Sequence, residues 1–179
     1  MALAGSLVVM MLMEAILGTP LAAAQPAGEI QFVRLKPAGP DLRRLLVEGH
    51  SRSEVFRALV DEIQRSNAVV VIQFGLCANG RFRSCVTSVD GDSRQRHVRV
   101  KIKPRPTDDR LIASVAHELQ HVVEIVRQPD VTNAETALSL YRRIGTGRCR
   151  EGLSEACETE AALSIEARVL DDLWRVARR

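Results

Sequence analysis

Two of the chain's four histidines stand four residues apart, in the run His117-Glu118-Leu119-Gln120-His121. The apolar periodicity of 109–126 predicts a helix there, and residues four apart on a helix share one face. Both imidazoles would then project side by side, and two neutral ring nitrogens at that separation fit two corners of a zinc tetrahedron. Glu118 would lie about 100° round the same turn, close enough to take a proton from a water activated by the metal. That is the chemistry of metal-assisted hydrolysis. The opposite stripe, Ile112, Val115, Leu119, Val122 and Val126, is apolar and would anchor the helix in a core. The pattern H-E-x-x-H also arises by accident, so a third ligand has to be found.

His50 and His97 are available, but one precedes a capping box and the other opens a strand, positions that suit surface or half-buried residues. The longer pattern H-E-x-x-H-x-x-G-x-x-H is absent, because Glu124 and Arg127 stand where its Gly and third His would be. The last helix, expected over 154–176, is more informative. Glu158, Ala162, Ile165, Val169 and Leu173 share one stripe of it, whereas Glu160, Ser164, Ala167, Asp171 and Arg175 make a polar one. Trp174 falls beside the polar stripe and suggests partial cover there. A carboxylate at the top of an apolar face costs free energy unless a cation lies opposite. For Glu158 that cation is a metal held by His117 and His121, or an arginine such as Arg148 or Arg150.

An H-E-x-x-H helix followed by a helix that begins E-x-x-A resembles the gluzincins, zinc metallopeptidases whose third ligand is a glutamate. Glu158-Thr159-Glu160-Ala161 matches the second motif, and the element order over 51–175 is similar to a minimal gluzincin catalytic domain. The resemblance implies an α+β, zincin-like fold: a small antiparallel or mixed sheet packed on a backing helix and the H-E-x-x-H helix, followed by a C-terminal helical part. It implies zinc on His117, His121 and Glu158, with Glu118 as general base. Tyr141, the only tyrosine, lies between the two motifs and is a candidate to stabilise the oxyanion; a lone helical tyrosine also serves simply as packing. Thermolysin-like members carry an Asp where this chain has Ala162, so the groups that orient the ligand histidines must come from elsewhere.

The elements that position these residues can be taken in order. A β-like patch covers 30–35, and 41–48 gives a helical turn or two before Gly49. Ser51-Arg52-Ser53-Glu54 reads as a capping box that opens a helix over 52–66. The β-branched run within 68–74 predicts a buried strand. Further strands are expected at 86–89 and 98–102, with a turn at Gly91-Asp92. The alternating strand 98–102 could pair with an extended peptide. Asp108 or Asp109 caps the motif helix and Pro129 stops it. Thr132-Asn133-Ala134-Glu135 is a second capping box, opening a helix to about residue 144.

Residues 1–24 read as a secretory signal peptide, with an apolar stretch over 6–17 and Ala22-Ala23-Ala24 before Gln25. Residues 25–179 then form one domain, an α/β part over 25–127 and a helical part over 128–179. Export suits the four cysteines, which fall into two pairs spaced by eight and contain no C-x-x-C. Of three connectivities the local one, Cys77–Cys85 with Cys149–Cys157, is favoured. Asn79-Gly80 would make a two-residue hairpin turn, but that would put Cys85 on the face away from Cys77, so a wider loop is expected. The net charge of +3, with six aromatic residues in all and no basic run, argues against nucleic acid. No transmembrane helix is expected in the mature chain. The expectation is a secreted or periplasmic monomeric zinc peptidase acting on a peptide or protein substrate. The alternative is a catalytically silent zincin-like binding domain of the cell envelope.

Overall fold

In chain order the described elements are β1 (Leu35–Pro37), α1 (Pro40–Arg52), α2 (Glu54–Arg65), β2 (Ala68–Phe74), β3 (Ser84–Gly91), β4 (Arg96–Ile102), α3 (Asp109–Val126), α4 (Ala134–Ile144) and α5 (Glu160–Ala177). The computed structural model describes residues 30–77, 82–104, 108–146 and 157–178. The leader expected over 1–24, the Asn79-Gly80 turn, Arg148, Arg150 and the Cys149–Cys157 bridge lie outside the described residues. The architecture is α+β with a small mixed sheet of order β1-β2-β4-β3. β1 and β4 flank β2 in parallel, and β3 runs antiparallel to β4.

A parallel strand paired on both sides is enclosed, so it reads as a nearly continuous apolar run. β2 has that character, with Ala68, Val70 and Ile72 fully buried. β4 alternates as expected, Val98, Val100 and Ile102 inward, but it is paired along both edges and has no edge to offer a peptide. The terminal strands are β1 and β3. The same order rules out a β2–β3 hairpin, because β4 lies between them. Cys77 and Cys85 are joined by a disulfide across that connection.

α3 occupies the middle of the molecule, packed on α1, α2, α5, β3 and β4. Every residue from Leu111 to Ile125 is buried, so the helix is enclosed all round and not only along its apolar stripe. Asp108 caps its start, accepting from the Leu111 N–H at 2.8 Å, a contact worth about 1 kcal/mol. Arg52 ties Asp109 at 2.9 Å. At the other end the buried Arg96 donates to the carbonyls of Ile125 (2.8 Å), Gln128 (2.8 Å) and Val126 (3.0 Å). A charge-bearing fork on these carbonyls, of which those of Ile125 and Gln128 also accept from the Gln128 and Val131 N–H groups, closes the helix C-terminus.

Several boundaries differ from expectation. α1 runs through Gly49, which is buried because a Cβ there would sit 2.9 Å from both Ile112 and Phe56. The N-cap of α2 is Ser53, not Ser51; its hydroxyl accepts from Phe56 N–H and donates to Asp172 on α5. α4 is capped by Asn133 with Thr136 as its reciprocal partner, one residue later than read. β1 begins at Leu35, where the 30–35 patch ends, and α5 begins at Glu160 with Thr159 as N-cap. Glu158 therefore precedes the last helix instead of riding on it. No helix among the described residues is long and apolar enough to cross a membrane.

Candidate metal centre

The i, i+4 spacing brings the His117 and His121 rings to 4.9 Å between centroids, at 76° to one another. Glu158 reaches the same place from the segment that leads into α5. Its Oε2 lies 3.0 Å from His117 Nε2. One potential ligand atom from each of His117, His121 and Glu158 falls within 4.8 Å of the other two. These are the three residues expected from the sequence, though the acid comes from an extended segment and not from a helix face. His50, His97 and Glu124 are not part of this group.

The three ligand atoms suit a metal ion. A tetrahedral zinc with bonds of about 2.1 Å spaces its ligand atoms about 3.4 Å apart, and the His117–Glu158 approach is already inside that distance. Glu158 Oε2 and His117 Nδ1 are buried without an aligned hydrogen bond among the described residues, and so is Glu118 Oε2. Buried polar atoms that stay unpaired are uncommon and costly. The two carboxylate oxygens, on Glu118 and Glu158, are of the kind that a cation would stabilise.

The charges agree. Burial lowers the His117 pKa, but the carboxylates of Glu158 and Glu166 outweigh it and raise the group to about 10. His117 in turn holds Glu158 and Glu166 below the usual carboxylate range. Glu118 goes the other way: burial raises it, against the pull of His121 and His117. An acid held high beside two metal-type ligands has the proton affinity a general base needs.

Two acids to which the sequence assigned no role at the site, Glu124 and Glu166, complete the surroundings. Glu124, three residues after His121, places Oε2 2.9 Å from His121 Nδ1, which leaves Nε2 for a metal. Glu166 on α5 places Oε2 3.4 Å from His117 Nδ1. A carboxylate so placed fixes the orientation of the imidazole beside it. Each had a signal: Glu124 is a lone acid inside an apolar helical run, and Glu166 stands one step from the buried Ala162–Val169 stripe. Glu160, Ser164, Ala167, Asp171 and Arg175 are exposed as expected, and Trp174 is exposed too.

The expectation for Tyr141 is corrected. It is fully buried, its hydroxyl donates to the His121 carbonyl at 3.0 Å, and its ring meets the His121 ring edge-on. It braces the helix from behind and does not face the cleft. That cleft, about 280 Å³, is lined by Phe82, Arg83, Ser84, Ser114, His117, Glu118, Glu158, Leu163 and Glu166. Arg83 was likewise not foreseen; it lies 3.7 Å from Glu166. Comparison of the chain with protein-family models, curated proteins and solved structures returns no significant match.

Proposed function

We propose that this chain is a zinc-dependent peptidase, in which His117, His121 and Glu158 hold the metal and Glu118 is the general base. The observation that carries the reading is the convergence of those three side chains at a cleft that His117, Glu158 and the general-base candidate Glu118 line, with His121 buried behind. Zinc bound there would polarise a carbonyl and lower the pKa of water to about 7. Borderline-soft imidazoles with a single carboxylate favour zinc over calcium or magnesium, which take oxygen donors.

The chain's own residues divide the remaining work. Glu124 holds His121 by Nδ1, which leaves Nε2 to the metal. Glu118 accepts a proton at its unpaired Oε2 and returns it to the leaving amine. Ser84 opens β3 at the cleft, so an extended peptide laid along that terminal strand would bring its backbone to the ligands. Leu163 and Phe82 give an adjacent side chain an apolar wall. All three ligands come from one chain, so a monomer is sufficient. The Cys77–Cys85 bridge is of the kind that persists in oxidising compartments, which supports a secreted or periplasmic setting.

The test is cleavage of a peptide library by the zinc-loaded protein and by Glu118→Gln. The variant should keep one zinc per chain and lose at least about 100-fold in rate. A wild-type protein that binds zinc yet cleaves nothing would leave a binding domain in place of an enzyme. Undiminished cleavage by Glu118→Gln would remove the general base from the account.

A further inference from the structure

We infer that Thr159 is a positioning residue for the metal centre, a single hydroxyl that sets both His121 and Glu158; this rests on the metal reading proposed above. Its Oγ1 accepts from the Ala162 N–H at 3.1 Å and so begins α5. The same Oγ1 lies 2.6 Å from Glu124 Oε1, to which it donates its proton. Glu124 passes the constraint on through its other oxygen, 2.9 Å from His121 Nδ1. Thr159 and His121 are each 2% exposed and Glu124 is 8% exposed, so water does not compete for any of these contacts.

A hydroxyl has one proton and two lone pairs, and here the proton and at least one lone pair are in use. Capping alone would accept Asp or Asn equally well. Donation to a buried carboxylate excludes Asp, which has no proton to give when ionised. The peptide link between Glu158 and Thr159 is held from its other side as well. The Glu158 carbonyl accepts from the Thr146 N–H at 2.9 Å and from its hydroxyl at 3.2 Å. Glu158 lies outside the helix, so its carboxylate is placed by these bonds and by the point at which Thr159 locks the first turn of α5 onto α3. The neighbouring pair Glu158-Thr159 is thus a ligand and its support, and through Glu124 the support reaches a ligand on another helix.

The experiment is the zinc affinity of the full chain, measured by competition with a chromophoric chelator, for wild type, Thr159→Ser, Thr159→Val and Glu124→Gln. Circular dichroism of each metal-free form reports the fold. Thr159→Ser should keep wild-type affinity, because it retains both bonds. Thr159→Val and Glu124→Gln should each bind zinc about 10- to 100-fold more weakly while the metal-free fold persists. Glu124→Gln leaves the α5 cap intact, so its loss cannot come from a frayed helix, and it decides the matter if Thr159→Val does not fold. Wild-type affinity in Glu124→Gln overturns the inference while leaving the metal site standing. Failure of the wild-type chain to bind zinc overturns the metal reading itself and the inference with it.

Discussion

At the scale of single residues, the proposed metal would compete with a proton for His117. In the metal-free chain Glu158 and Glu166 overcome burial and keep that ring protonated up to about pH 10. A histidine whose pKa rises on folding stabilises the fold fully below its unfolded value of 6.5, and that stabilisation is lost as pH climbs through about 10. Zinc needs the unprotonated ring. The metal-free protein should therefore lose thermal stability over that interval, while the increment gained on adding zinc grows. Unfolding temperatures with chelator and with zinc, at about pH 6.5 and about pH 9, check this; a gap that narrows at the higher pH contradicts it. The two histidines were legible because an i, i+4 pair leaves a pattern in one dimension; Glu158 was reached through a helical stripe that does not extend to it, since α5 begins at Glu160. Glu124 and Glu166 are one contact further out, and their role depends on how α3 and α5 pack.

At the scale of elements, α3 is the rigid member, and its bounds were legible because periodicity, the Asp108 cap and Pro129 agree. The start of α5 was not. A start at 154 was expected, whereas Thr159 is the N-cap, fixed there by its bond to Glu124, a partner 35 residues away. Ser53 displaced Ser51 for a similar reason, drawn to Asp172 on α5. β4 alternates in a way that suits an edge or a central strand equally, so sheet order had to come from the pairing itself. The C-terminus of α3 depends on Arg96. Replacing it with Met would remove one donor each from the carbonyls of Ile125 and Gln128, which keep a backbone partner, and the donor that reaches Val126, at a cost of about 2 kcal/mol. Urea unfolding measures this, and a loss below about 0.5 kcal/mol would mean that the fork is dispensable.

At the scale of the molecule, α3 and the segment entering α5 carry the three candidate ligands, while the Cys77–Cys85 link steadies the cleft wall that holds Phe82, Arg83 and Ser84. The bridge spans a sequence separation of 8, and closing so short a loop is worth about 2.5 kcal/mol in the chain-entropy picture. The double variant Cys77→Ser/Cys85→Ser should lose roughly that stability and cleave peptides more slowly. It should keep its zinc, because no ligand lies on the bridged segment. Loss of zinc together with the bridge would show that wall and ligand set are one unit.

All of this depends on a metal ion bound between α3 and the segment entering α5. Anomalous scattering from a crystal grown with zinc, recorded on both sides of the zinc absorption edge, tests that directly. The account predicts one strong peak per chain at about 2.0–2.2 Å from a ring nitrogen of His117, a ring nitrogen of His121 and a carboxylate oxygen of Glu158. No peak at that point, with His117 and Glu158 remaining in direct contact, would contradict it.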